Sequence, residues 1–125
     1  MELTKLGNPD AAADRRLEAF PIADRSQTIT LECAEFTCRC PITGQPDWAH
    51  ITVEYRPDEW AVETKSVKLY LETFREEGIF HEHLATVIRD DFVAALKPRE
   101  LSVTVNFNSR GGIALRAVSR YPSPE

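Results

Sequence analysis

Three cysteines lie within eight positions, and one of them has the surroundings of a reactive thiol. Cys40 stands in a stretch rich in turn residues with Arg39 beside it, and a neighbouring cation lowers a thiol's pKa and raises its thiolate fraction. Cys33 falls on the apolar face of an alternating segment, where a packing role is expected. Packing is the commoner role of any single cysteine, but the loop position makes Cys40 the candidate nucleophile.

Candidate acid and base groups follow Cys40 along the chain. Asp47 lies seven residues later, at the start of the next strand, where its carboxyl group could face the same cavity and exchange a proton. The alternative is a loop aspartate that caps backbone amides. Glu82 offers the two acceptors that a ring N–H and an amino group of a purine-like base require. His81 beside it could donate a proton or orient the ligand, although the two could also be a surface capping pair.

A lysine-containing segment opens the first predicted helix. Lys65 and Lys68 are three apart and so neighbours on one helix face. They form either a solvated surface or a phosphate site, to which Arg110 beside the Gly111–Gly112 turn could add a third cation. Glu63 is a favourable charge at the helix N-terminus. The sequence has no GxGxxG or Walker pattern, so neither common nucleotide-binding loop is expected.

A metal site is not expected. Cys38 and Cys40 with two histidines would supply soft ligands, but zinc sites usually space their cysteines by two to four residues and add a second pair. Here one residue separates the cysteines. His81 and His83 stand two apart on a predicted helix and cannot share a face.

Hydrophobic periodicity predicts the order strand, strand, helix, helix, strand, strand. Period-two alternation gives strands within residues 29–33, 51–55, 101–107 and 113–117, with a loop at 37–46. Helical spacing gives helices within 67–74 and 84–96, ended by Gly78 and Pro98. Hairpin-joined strands predict an α+β fold: an antiparallel four-stranded sheet with both helices on one face.

Bulk properties predict one domain over residues 1–125, with an irregular lead-in at 1–24 and a frayed tail at 121–125. The net charge of −5 disfavours nucleic-acid binding. We expect no secretory signal and no membrane span, since no apolar run approaches roughly 20 residues. An odd set of cysteines favours the cytoplasm. Open sheet edges favour a homo-oligomer.

Four segments together resemble one family. They are residues 35–47, which contain Cys-Pro-x-Thr-Gly-Gln-Pro-Asp at 40–47, then Glu-x-Lys-Ser-x-Lys-Leu-Tyr at 63–70, Phe-His-Glu at 80–82 and Arg-Gly-Gly at 110–112. This set is similar to the short, single-domain 7-cyano-7-deazaguanine reductases, the nitrile reductases of the queuosine pathway of tRNA modification. The resemblance runs from about Leu6 to Gly112. It implies the tunnelling fold, in which subunits form rings with pockets at their boundaries.

The resemblance also implies roles for the candidate residues. Cys40 would add to the nitrile carbon to form a covalent thioimide, Asp47 would protonate the nitrile nitrogen, and two hydride transfers from NADPH would give an aminomethyl group. The implied substrate-binding residues are Val62, Glu63, Thr64, His81 and Glu82. The implied NADPH-binding residues are Lys65, Ser66, Lys68 and Arg110.

The sequence departs from the family pattern at two positions. Thr64 stands where serine or leucine is usual and keeps a hydroxyl group, so little loss is expected. Cys38 is an additional thiol that either forms a reversible oxidised pair with Cys40 or has no role. Two other functions stay open at this point: a zinc-dependent GTP cyclohydrolase-like enzyme of the same fold, and a non-catalytic ring protein that binds purines.

Overall fold

The computed structural model describes residues 2–124. Along the chain the elements are β1 (Ala19–Pro21), β2 (Ile29–Arg39), β3 (Pro46–Arg56), β4 (Trp60–Val62), α1 (Thr64–Glu72), α2 (His81–Leu96), β5 (Glu100–Arg110) and β6 (Ile113–Tyr121). Strands β2, β3, β5 and β6 form an antiparallel sheet in the order β2-β3-β5-β6. The predicted α+β class and the order of the main elements are therefore confirmed.

The core lies between one face of this sheet and the two helices. Alternate residues of β3 and β5 point into it, because successive side chains of a strand face opposite ways. The aromatic rings of Tyr70, Phe74 and Phe92 fill the space beneath the helices and pack edge to face. Within residues 2–124, neither helix is both long and apolar enough to cross a bilayer.

Strand β2 is longer than its alternation predicts. Its register against β3 shifts between Cys33 and Phe36, and this bulge returns Phe36 and Cys38 to the core face. Cys38 then pairs with Asp47 across the ladder. The prediction of a loop at 37–46 is therefore wrong at both ends, because the observed loop comprises only residues 40–45.

Helix α1 is shorter than predicted. It ends at Glu72 and is followed by turns, so the expectation that Gly78 terminates it is wrong. Gly78 instead bridges to Arg39 beside the Cys40 loop, where a Cβ would lie 3.0 Å from the Pro41 Cα. Helix α2 ends at Leu96; Lys97, which caps it with a left-handed φ of 47°, and then Pro98 follow, so the predicted stop at Pro98 agrees with the structure.

The N-terminal lead-in is more ordered than predicted. Strand β1 pairs antiparallel with β4, Ala19 opposite Val62. Three-residue strands are too short to show a period, so the sequence did not reveal them. Tyr121, assigned to the predicted tail, belongs to β6. Met1 and Glu125, in the predicted lead-in and tail, lie outside the described residues.

Candidate active site

A tight turn between β2 and β3 presents Cys40. The Cys40 N–H donates to the Gln45 carbonyl at 2.8 Å, and the Gly44 N–H donates to the Cys40 carbonyl at 2.9 Å. Hydrogen bonds from the Thr43 hydroxyl and from the Thr43 and Ile42 backbone hold the pKa of the Cys40 thiol down to about 7. The expectation that Arg39 lowers this pKa is wrong, because its guanidinium instead binds Glu76 at 2.8 Å and the Gly44 carbonyl at 2.9 Å.

Asp47 lies one step into β3 with only 6% of its surface exposed. Its Oδ2 lies 3.1 Å from the His81 Nε2. Its Oδ1 accepts a hydrogen bond from the Arg110 Nη1 at 2.7 Å. A buried carboxylate is stabilised when both of its oxygens have partners, and Asp47 meets this condition through residues from two other elements.

His81 is fixed by an aromatic residue that the sequence did not single out. It is the first residue of α2, and its ring stacks on Phe107 with 3.4 Å between centroids and 5° between planes. The stack sets the plane of the imidazole and leaves Nε2 facing Asp47. Phe107 belongs to the alternating apolar face of β5, so its sequence signal was that of a core residue.

Arg110 binds the Cys40 loop as well as Asp47. It ends β5 at the Gly111–Gly112 turn, where both glycines have the positive φ that L-residues rarely adopt. Its Nη2 donates to the Thr43 Oγ1 at 3.2 Å and also contacts the Gln45 Oε1. Arg110 was predicted as a cofactor residue, and the structure places its guanidinium in the Cys40 cluster. Thr43 and Gln45 belong to the motif at 40–47, but their residue types alone indicate no role.

Cys38 has the opposite environment from Cys40. It is fully buried on the core face of β2. Burial, followed by the negative charges of Asp47 and Glu77, raises the pKa of the Cys38 thiol to about 12. A buried, protonated thiol is a poor partner for exchange chemistry. The structure therefore favours a packing role for Cys38 over an oxidised pair with Cys40.

The start of α1 is organised by two buried side chains. The Glu63 carboxylate caps the helix, accepting from the backbone N–H groups of Lys65 at 2.6 Å and Ser66 at 2.9 Å. The Ser66 hydroxyl donates to the Glu63 carbonyl at 2.7 Å and accepts from the Glu18 N–H at 3.0 Å. Both side chains hold the helix in place, and the Ser66 hydroxyl, fully buried, has no exposed surface for a cofactor.

The exposed side of α1 borders a groove. Thr64 and Lys68 line it together with apolar residues of β2 and the carboxylates of Glu32 and Glu35, and its volume is 480 Å³. Lys65 is half-buried, and its Nζ donates to the Asn8 carbonyl at 2.5 Å. Lys68 is exposed. The ammonium groups of Lys65 and Lys68 suit anionic phosphates, and a phosphate oxygen could replace the Asn8 carbonyl.

Comparison with known proteins identifies the family. A family model described as QueF-like protein matches residues 46–125. An NADPH-dependent 7-cyano-7-deazaguanine reductase of Frankia casuarinae is 74% identical over 121 residues, which cover 97% of each chain. A reductase of the same name from Syntrophus aciditrophicus is 52% identical over 98% of this chain and 88% of its own length. The chain belongs to the NADPH-dependent 7-cyano-7-deazaguanine reductase family. The resemblance drawn from the four segments is therefore confirmed.

A solved structure supports the fold of this reductase. The apo form of an archaeosine synthase QueF-Like superposes with a TM-score of 0.73 at 24% identity, covering 78% of this chain and 96% of the other. At this identity the likeness concerns the fold alone, and it confirms the tunnelling fold that the resemblance implied.

The predicted site residues of the reductase fall into two groups. Cys40, Asp47, His81 and Arg110 form one cluster, with Glu82 exposed next to His81 on the first turn of α2. The second group gathers at the start of α1: Val62, Glu63, Thr64, Lys65, Ser66 and Lys68. Among residues 2–124, no hydrogen bond or ion pair joins the two groups. Residues 2–124 contain no group of three or more His, Cys, Asp or Glu side chains that could hold a metal ion.

Proposed function

We propose that this chain reduces the nitrile of 7-cyano-7-deazaguanine to an aminomethyl group with NADPH, through a thioimide on Cys40, in the queuosine pathway. The observation that carries the proposal is the thiol of Cys40, whose pKa is lowered to about 7, in a loop that the Arg110 guanidinium joins to a buried carboxylate–imidazole pair. Family membership supplies the substrate and the hydride donor. Three free thiols suit the reducing cytoplasm as the location.

The covalent step makes a poor hydride acceptor into a better one. The Cys40 thiolate adds to the nitrile carbon, a C–S bond forms, and one π bond of the nitrile breaks. Because Asp47 is bound to Arg110 as a carboxylate, it must first take up a proton, which the His81 Nε2 at 3.1 Å from its Oδ2 can deliver. The nitrogen then takes this proton from the Asp47 carboxyl group, which completes the thioimide.

Reduction to the amine requires four electrons. Bound NADPH supplies hydride, and two equivalents together with two protons balance the reaction. When the once-reduced adduct collapses, the C–S bond breaks as a C=N bond forms, and Cys40 leaves as a thiolate, for which its lowered pKa is suited. The imine formed in this way accepts the second hydride to give the amine. Lys65 and Lys68 would bind the phosphates of the dinucleotide.

The deazaguanine would be held by the α2 end of the cluster. The Glu82 carboxylate is exposed and offers two acceptors to the ring N–H and the amino group. Val62, Glu63 and Thr64 would contribute backbone groups at the start of α1. We propose that this second group comes from a neighbouring subunit of a homo-oligomer, because it makes no polar contact with the Cys40 cluster within the described protomer.

An adduct experiment tests the proposal. Protein mixed with 7-cyano-7-deazaguanine and no NADPH is expected to gain the mass of one substrate per chain in intact mass spectrometry. Cys40→Ala should form no adduct and lose turnover by at least about 10³-fold, with an unchanged circular dichroism spectrum. Cys33→Ala is the matched control and should form the adduct. Binding of the base without an adduct, or an adduct on Cys40→Ala, would contradict the thioimide route.

A further inference from the structure

Arg110 has a set of contacts that cofactor binding alone does not explain. One nitrogen of its guanidinium binds the Asp47 Oδ1 at 2.7 Å. The other nitrogen binds Thr43 at 3.2 Å and also contacts Gln45. These partners belong to the Cys40 loop and to the start of β3, so one side chain from the far end of β5 connects the loop with the buried carboxylate.

We propose that Arg110 is a positioning residue for the covalent step, holding the 40–45 loop and the Asp47 carboxylate so that Cys40 and Asp47 face the same nitrile. This inference rests on the proposed function, because it assigns Arg110 a task within thioimide formation. It differs from phosphate binding by NADPH, which would act only on the later hydride transfers.

The geometry supports positioning in two ways. Guanidinium is planar and presents fixed donors, so partners bound through both terminal nitrogens are held at a set distance from each other. The Arg110 backbone is itself fixed, since it pairs with Ile113 across the β5–β6 hairpin. The Arg110 side chain is therefore held at both ends, by its own backbone in the hairpin and by the side chains that its guanidinium binds.

The contacts also reach the Cys40 sulfur. Because the Thr43 Oγ1 accepts from Arg110, its own hydrogen is available for the thiolate. The Thr43 hydroxyl is the largest cause of the lowered pKa of Cys40, and Arg110 contributes a hydrogen bond of its own. Loss of the guanidinium would thus weaken two interactions of the thiolate and leave the Asp47 carboxylate with His81 alone.

Arg110→Gln tests this inference in the absence of NADPH. Two quantities are measured: the rate of adduct formation with 7-cyano-7-deazaguanine, and the pH profile of Cys40 alkylation by iodoacetamide. We expect the alkylation midpoint to rise by about one pH unit, which lowers the thiolate fraction at pH 6 about tenfold, and the adduct rate to fall at least as much. Arg110→Lys keeps the positive charge but not the planar guanidinium, so both of its measured values should lie between those of the wild type and of Arg110→Gln.

The control is Arg116→Gln. Arg116 is exposed on β6, and within residues 2–124 its side chain makes no hydrogen bond or ion pair. It should match the wild type in both measurements. If Arg110→Gln unfolds, Gln45→Ala is the second variant, because it removes one contact of the Arg110 guanidinium from the exposed loop side. Gln45→Ala should slow adduct formation, but by less than the roughly tenfold expected for Arg110→Gln.

The outcomes separate the inference from the proposed function. If Arg110 serves only the cofactor, Arg110→Gln leaves both NADPH-free measurements unchanged and raises only the KM for NADPH, and the inference is overturned. A wild-type protein that forms no adduct overturns the proposed function instead.

Discussion

Two thiols separated by one residue have opposite chemistry in this protein. Cys38 is the last core-facing residue of β2, where burial raises the pKa of its thiol to about 12. Cys40 lies just beyond the strand, where hydrogen bonds lower the pKa of its thiol to about 7. The difference arises because β2 ends at Arg39: Cys38 still faces the core, whereas Cys40, two positions later, lies in a turn whose N–H and O–H donors point at its sulfur.

This contrast predicts a selective alkylation pattern. The Cys40 thiolate is populated above pH 7 and lost below it, so its reaction with iodoacetamide should rise with pH through a midpoint near 7. Cys38 should stay unmodified in the folded protein over the same range. Trypsin cleaves between the two after Arg39, and fragmentation of the peptide 26–39 by tandem mass spectrometry distinguishes Cys38 from Cys33, which lies on the same peptide. Equal labelling of Cys38 in native protein would contradict the assignment, and urea-unfolded protein provides the positive control.

At the scale of elements, the start of α1 depends on the Glu63 cap. Its buried carboxylate satisfies two backbone N–H groups that a helix end otherwise leaves unpaired. We expect Glu63→Ala to lower the free energy of unfolding by about 1–2 kcal/mol, measured by urea denaturation, and Glu63→Gln to lower it by less because one acceptor oxygen remains.

Glu72→Ala serves as the control for the cap. Glu72 is exposed at the other end of the same helix, where a negative charge is slightly unfavourable to the helix dipole. This variant should be as stable as the wild type or slightly more so. An equal loss at both positions would mean that side-chain removal anywhere in α1 is costly, and the capping interpretation would fail.

Sequence periodicity could predict the main elements but not their ends or their contacts. The four long strands and two helices have enough turns or alternations to show a period. The bulge between Cys33 and Phe36 breaks that period, so the extension of β2 to Arg39 was not visible. Loop position and the resemblance pointed to Cys40 and Asp47 as candidates, but contacts between residues about 60 positions apart, such as Arg110 with Asp47, arise only from the register of the folded sheet.

At the scale of the whole molecule, the cluster is bordered by exposed apolar side chains. Ile42 lies in the Cys40 loop, Phe80 precedes His81, and Ile113 pairs with Arg110. Ile42 is 79% and Ile113 73% exposed. Apolar groups grouped at a site are typical of surfaces that another chain covers, and strands β2 and β6 are the two edges of the sheet. These features support the proposed homo-oligomer.

A subunit-mixing experiment tests whether neighbouring subunits share one site. Cys40→Ala and Lys68→Ala chains are unfolded together in equal amounts, refolded, and assayed for NADPH oxidation with the nitrile substrate. If a site takes Cys40 from one subunit and Lys68 from its neighbour, random association restores both residues in about a quarter of the sites. Each variant refolded alone should be far less active than that mixture.

The matched control mixes Cys40→Ala with Asp47→Asn. Both residues belong to the cluster of a single protomer, since Asp47 contacts the Arg110 side chain that also binds the Cys40 loop. Every subunit of that mixture therefore carries a defective cluster, and activity should not recover in any arrangement of the subunits. Recovery in the first mixture alone assigns Lys68 to the neighbouring subunit. No recovery in either mixture would mean that α1 serves the cluster of its own protomer, and the shared-site proposal would be wrong.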